Sequence, residues 1–381
     1  MSQIDSLTSL RFFAAFAIVY AHGGSPAYYF YPFPLIDLRH AVSFFFVLSG
    51  FILAYAYEGI DWKKDWSRFA LARVARLYPV HLTILAAYVL IFHVYPTRSF
   101  TGDGYYLLAD VLLIQAWIPI PGLWTSYNGT AWSISAEMAF YIAFPALLWA
   151  ARRRPLALLI GAALWVTCAT LLANRFQIGL TGEPNAWDLV YAWPVVRVAE
   201  FAAGIASYRM TARVTPMMPN SKWGATSAEL LAIALMLLVM YACTRVTDPG
   251  VSILSPSAEV WVRTAGSAPA TCVLLVVFFF QRGHVTQLLC WRPLVWLGGA
   301  SYALYLIHQP ILKFQFRYFA DWTKANQQTA YLLYLVAAIG IASILFAFVE
   351  IPSRRWIRSL TPSRWAGSWL TKKLYRSARR T

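Results

Sequence analysis

The sequence predicts an all-α fold, a polytopic membrane helix bundle of about ten transmembrane helices with both termini cytoplasmic. Three observations predict it. Of 381 residues, 59% are hydrophobic and 13% charged, about half the charged share of a soluble domain. Apolar residues gather in runs near the roughly 20 that a span needs. Lys and Arg stand in short blocks between those runs, as loops on a cytoplasmic membrane face do. The net charge of +16 therefore points to a lipid bilayer, and nucleic acid is excluded as a partner.

Residues 7–26 form the first span. It lacks a basic leader and Arg11 interrupts its apolar stretch, so it is expected to be retained rather than cleaved. Span 40–57 carries Ser49 and Gly50 at its middle, where small residues permit close helix packing. Span 79–95 follows a basic segment. The connection 96–131 is long and outer; its apolar run 105–118 is too short to cross and is broken by Pro119 and Pro121, which makes it interfacial or re-entrant. Further spans are expected at 132–150, 156–174, 188–207, 227–244, 264–281, 294–314 and 330–350. With the N-terminus inside, 22 of the 32 Lys and Arg fall on the cytoplasmic side, seven outside and three within spans, the bias of a positive-inside topology. Residues 1–350 are then the transmembrane domain. Residues 351–381 are a basic amphipathic cytoplasmic tail, with Trp356, Trp365, Trp369 and Tyr375 among its charges, suited to anchoring at the interface. Cys168, Cys243, Cys272 and Cys290 have no paired spacing, so neither a disulfide framework nor a metal site is expected.

Ionisable groups inside apolar segments are costly and mark functional candidates. Arg11 and His22 are eleven residues apart, which on a helix is about 20° in angle and about 16.5 Å in rise. They share one face, Arg11 inward and His22 outward. In "AWSISAEMAFYIAFP", Glu137 lies about five residues in from the outer end, with Trp132 and Ser133 above it and Tyr141 one turn below. In "ASYALYLIHQPI", Ser301, Tyr305 and His308 make one polar stripe, and Pro310 should free backbone groups just past the histidine. His22, Glu137 and His308 are thereby expected at similar depth, as proton transfer to and from a hydroxyl requires. On the inner side Arg73 and Arg76 are one turn apart, suited to a phosphate-rich ligand. His40, His81, His93 and His284 are expected to be structural or interfacial.

In order along the chain, "LTSLRFFAAFAIVYAH", "FFFVLSGFIL", "RFALARVARLYP", "WSISAEMAFY", "SYALYLIHQPI" and "VEIPSRRW" together resemble the acyltransferase-3 family of bacterial integral-membrane O-acyltransferases. The resemblance implies transfer of an acyl group, usually acetyl from cytoplasmic acetyl-CoA, to a carbohydrate hydroxyl, here most readily an exopolysaccharide or lipid-linked saccharide at the bacterial inner membrane. It implies catalytic roles for His22, Glu137 and His308, with Glu137 orienting an imidazole as a triad carboxylate does. It also implies donor binding by Arg11, Arg73 and Arg76, and Glu350 and Arg354 match the closing motif. Trp132, Ser133, Tyr141, Ser301 and Tyr305 are the expected acceptor-binding groups. No metal is implied, and a homo-oligomer or polysaccharide-assembly partners are left open. Departures are modest: Thr8-Ser9 stand where many members have Asp-Gly, and Met138 follows the glutamate. The alternative is a transporter of an acyl group or sugar with no bond-forming chemistry, which would release no CoA thiol.

Overall fold

The computed structural model describes residues 4–23, 35–92, 104–248, 250 and 252–359, and each of the ten predicted apolar segments is mostly helical where it is described. Among the described residues there is no strand. The helices are α1 (Asp5–Gly23), α2 (His40–Ala56), α3 (Trp62–Phe92), α4 (Gly104–Leu112), α5 (Trp132–Arg153), α6 (Pro155–Arg175), α7 (Pro194–Val214), α8 (Lys222–Val246), α9 (Pro256–Ala265), α10 (Ala268–Phe279), α11 (His284–Leu289), α12 (Arg292–Tyr318), α13 (Ala320–Ala325), α14 (Gln327–Leu345) and α15 (Ile351–Ser359). The tail residues Trp365, Trp369 and Tyr375, and also His93, lie outside the described residues.

By length and composition, six described segments are apolar enough to cross a membrane: those of α3, α5, α6 and α8, the α9–α10 pair, and α14 with its extension to Ile357. The chain is a multi-pass membrane protein. The candidates α1, α2, α7 and α12 are shorter or more polar, and three of them carry the ionisable groups. They pack chiefly against one another, α2 on α7 and α1 on α12, where protein rather than lipid surrounds the polar side chains. At the other extreme, only 6% of the apolar window of α6 is buried, and Leu164, Leu171 and Leu172 are exposed, as on a lipid-facing helix.

Several boundaries differ from expectation for identifiable reasons. Helix α3 begins at Trp62, so Pro79 lies inside it and Arg73 and Arg76 stand on the same rod as the span. Helix α7 is delayed to Pro194 by a π-helical turn over Trp187–Ala192, and Pro is favoured at a helix start. Segment 105–118 resolves into the nine-residue α4 and turns, too short to span. Pro310 does not interrupt α12. It removes the donor that the carbonyl of Leu306 would have used, and Asn128 Nδ2 donates to that carbonyl instead at 2.9 Å.

Small residues set the closest helix contacts. A Cβ at Gly204 would overlap the carbonyl of Val47, and one at Gly50 the carbonyl of Phe201, so α2 and α7 meet backbone to backbone, as small residues allow in membranes. Gly204→Val is expected to cost about 1–3 kcal/mol through overpacking, read as earlier thermal unfolding of the purified protein in mild detergent. An unchanged transition would show that these backbones do not meet. Beside this crossing, Arg197 and Glu200 are fully buried on α7 and paired at 3.0 Å. The Arg197 guanidinium lies 5.2 Å from the ring of Phe46, 5.5 Å from Tyr191 and 5.6 Å from Trp261. Its Nη1 also donates to Thr264 Oγ1 at 3.3 Å.

Candidate active site

A cavity of about 2070 Å³ opens among α1, α2, α3, α5, α12 and α15. Six arginines line it (Arg11, Arg68, Arg73, Arg76, Arg292 and Arg354) against four carboxylates, Asp5, Glu58, Asp65 and Glu137, so its field favours anions. The two arginines of α3 are engaged differently. Arg76 lies 3.8 Å from Glu350, which also pairs with Arg354 at 3.2 Å. Arg73 has no carboxylate within 4.0 Å among the described residues. Its Nη2 donates to Tyr57 Oη at 3.3 Å, and its guanidinium lies 5.6 Å from the Tyr57 ring and 5.7 Å from Phe69 and Tyr141. Arg11 likewise forms no ion pair among the described residues. Arg73 and Arg11, like Arg68 and Arg292, thus line the cavity with no ion pair among the described residues.

Glu137 projects into this inner cavity and accepts a hydrogen bond from Ser49 Oγ of α2 at 2.5 Å. Tyr141, the next turn of α5, lines the same space. Glu137 lines this cavity, whereas neither His22 nor His308 does. Glu137 is more than a turn inward of Trp132, and no carboxylate lies within 4.0 Å of either histidine among the described residues. A triad-like carboxylate–imidazole pair is therefore absent among the described residues, and Glu137 is the electrostatic neighbour of Arg11 and Arg76.

The structure does bring His22 and His308 together. His308 Nε2 is 3.3 Å from His22 Nδ1, with ring centroids 5.0 Å apart. His22 Nδ1 also contacts the carbonyl of Ile18 at 2.9 Å. A carbonyl accepts only, so Nδ1 carries the proton and the neutral ring keeps its lone pair on Nε2. Two tyrosines of α14 fix the end of α1 from behind: Tyr334 Oη donates to the carbonyl of Val19 at 2.9 Å and Tyr331 Oη to that of Tyr20 at 3.0 Å. The Asn128 contact at Leu306 steadies α12 half a turn before His308.

His22 lines a second cavity of about 400 Å³, the outer one under the expected topology, with Trp124, Trp132, Trp187, Tyr191, Arg39, Gln309 and Lys313. Tyr305 and Val42 line both cavities, and Ser133 Oγ donates to Tyr305 Oη at 2.9 Å, joining α5 to α12 across the passage. Of the expected acceptor groups, Trp132 faces outward, Tyr305 both ways, and Ser133, Tyr141 and Ser301 the inner cavity. Arg39 is clamped by Asp37, its Nε donating to Oδ1 at 2.9 Å and to Oδ2 at 3.0 Å. Burial would raise the Asp37 carboxyl, but the hydrogen bonds and charge of Arg39 hold it below its usual range.

Sequence reasoning missed Ser49 as a partner of Glu137, and it treated Arg197 and Lys313 merely as residues inside spans. An Arg and a Glu three apart in "VRVAEF" were a legible i,i+3 pair. His40 and His81 take structural roles, His40 Nδ1 with Ser267 Oγ at 3.1 Å and His81 Nε2 with the carbonyl of Asp110 at 2.8 Å. The four cysteines are free.

Comparison with known proteins adds a family. The chain is 29% identical to Acyltransferase MdmB of Streptomyces mycarofaciens over 386 residues, covering 94% of each protein. It is 23% identical to Peptidoglycan O-acetyltransferase OatA of Listeria monocytogenes, over 82% of this chain and 51% of that protein. With Putative peptidoglycan O-acetyltransferase YrhL of Bacillus subtilis it shares 28% identity, over 81% and 48%. The chain thus spans about half the length of these two O-acetyltransferases. No solved structure matches it. Residues 4–347 match the family model of the acyltransferase-3 proteins, described as an acyltransferase domain, and the chain, a membrane O-acyltransferase, belongs to that family.

Proposed function

We propose that the protein moves an acetyl group from cytoplasmic acetyl-CoA to a hydroxyl of a carbohydrate acceptor, an exopolysaccharide or lipid-linked repeat unit, at the bacterial inner membrane. The observation that carries this reading is the imidazole pair standing between an arginine-lined cavity and an aromatic one. The donor's phosphates bind at Arg73 and Arg11, with Arg76 held nearby by Glu350. Its pantetheine arm extends past Glu137 and Tyr305, spanning about the 16.5 Å helical rise from Arg11 to His22. His22 Nε2 takes the proton of the acceptor hydroxyl as the oxygen attacks the thioester carbonyl. The C–S bond then breaks, and the imidazolium returns the proton to the CoA thiolate. His308, accepting from Nδ1–H, keeps the tautomer that leaves Nε2 basic. Glu137 offsets the arginine charge beside the donor.

The test is release of CoA thiol by the purified protein with acetyl-CoA, with and without an acceptor saccharide. Acceptor-dependent thiol is expected; its absence with every acceptor would leave a transporter. Arg73→Ala with Arg76→Ala should raise the KM for acetyl-CoA about tenfold or more, since hydrogen bonds to charged groups contribute about 1.5–3 kcal/mol. An unaltered KM would return both arginines to topology alone.

A further inference from the structure

Helix α12 presents Tyr305, Gln309 and Lys313 at successive turns to the outer cavity. At its far end the Lys313 ammonium donates to Tyr88 Oη at 3.1 Å and to the carbonyl of Tyr127 at 2.9 Å. Both partners are neutral. An ammonium has three donors, so one remains, and no carboxylate lies within 4.0 Å of Lys313 among the described residues. The nearest candidate, Asp110, is engaged by Ser126 Oγ and by Gln115 Nε2. Among the described residues the lining includes two cations and no carboxylate; Arg39 is paired with Asp37, which leaves Lys313. The Lys313 side chain is exposed and feels the charge of Asp110 without an ion pair to it, so a ligand entering the cavity meets an ammonium with a donor to spare.

The rest of the lining is an aromatic wall. Trp132 and Tyr191 have ring centroids 4.5 Å apart, Trp187 and Tyr191 5.5 Å, and Trp124 and Trp132 6.0 Å. Flat amphipathic rings beside a few polar groups suit a ring-shaped ligand with one apolar face. The cavity's size, about 400 Å³, is that of a small-ligand site, room for an end group rather than a long chain.

We infer that the outer cavity is the acceptor site and that its acceptor carries a fixed negative charge, a phosphate or a carboxylate, bound by Lys313 while the sugar ring lies against the Trp132–Tyr191 wall. This rests on the acyl-transfer reading for the word acceptor, but the anion site itself does not. The hydroxyl to be acylated then meets His22 Nε2 while the charge is held about one and a half turns past His308 along α12.

Saturation-transfer difference NMR on the purified full-length protein reads such weak binding directly. The probes are glucose 1-phosphate, glucuronate and neutral methyl glucoside at equal concentration. At least one charged probe should bind about tenfold or more tighter than the glucoside, from a charge-assisted hydrogen bond, and the tighter of the two names the source of the charge. Lys313→Gln should abolish that preference and Lys313→Arg keep it, with acetyl-CoA binding as the check on folding. Equal binding of charged and neutral probes by the unmodified protein, which needs no variant, would overturn the inference. So would a preference that survives Lys313→Gln. A preference that stands while no acceptor is ever acetylated would sink the enzymatic reading and leave the anion site.

Discussion

Replacing His22 with alanine is expected to lower kcat for acetyl transfer by about 10²–10⁴-fold, the usual cost of losing a general base, with acetyl-CoA affinity unchanged. The size follows from how the ring is held. Its Nδ1 proton is committed to the carbonyl of Ile18 at 2.9 Å and to His308 Nε2 at 3.3 Å, so Nε2 is the basic atom. The tyrosines of α14 anchor the backbone beneath it. His308→Ala should cost less, about 10–100-fold, the range for an outer-shell partner that orients a histidine, because Ile18 still fixes the tautomer. Single-turnover rates of the two variants separate these roles. Near-normal turnover by His22→Ala would remove the ring from the chemistry, and equal losses would make the pair a single acid–base unit.

The largest structural effect is expected at Arg197 and Glu200. Both are fully buried, 3.0 Å apart on α7. Removing one partner of a buried pair leaves an uncompensated charge and costs about 3–5 kcal/mol, whereas replacing both by apolar residues of similar volume is often neutral. Arg197→Leu and Glu200→Leu should each collapse stability to unfolding in detergent, and the double variant should recover most of it. Additive losses in the double variant would show that the two charges do not depend on each other. Arg197 also sits 5.5 Å from the ring of Tyr191, so the recovered double variant should regain its fold and yet bind the acceptor less well, its aromatic wall having lost a buttress.

Much of this was readable before any coordinates. Arg11 and His22 share a face because eleven residues make just over three turns, and they open onto the inner and outer cavities respectively. The serine–tyrosine–histidine stripe of α12 was equally explicit. The partner of Glu137 was not legible, because position along one helix does not say which neighbour faces it; Ser49 of α2 does, through packing that Gly50 and Gly204 permit. Pro79 looked like a boundary, but it lies inside α3; Pro310 was expected to free a backbone group, and a side chain from elsewhere, Asn128, takes that carbonyl. Lys313 was passed over because a lysine near a helix end ordinarily snorkels to the interface. Its meaning came only with the neutral oxygens around it.

The Arg76–Glu350 contact has a consequence for how the protein is made. Arg76 lies in the third helix and its counter-ion close to the end of the domain, so at about 5–20 residues per second the ribosome delivers the carboxylate on the order of tens of seconds after the guanidinium. Throughout that interval Arg76 lacks its ion-pair partner, and of the earlier carboxylates Glu137 is the one that acts on it. The arginine-lined cavity is therefore among the last parts of the molecule to be completed. A chain released early keeps most of its helices but lacks the latch that tells a finished enzyme from an unfinished one.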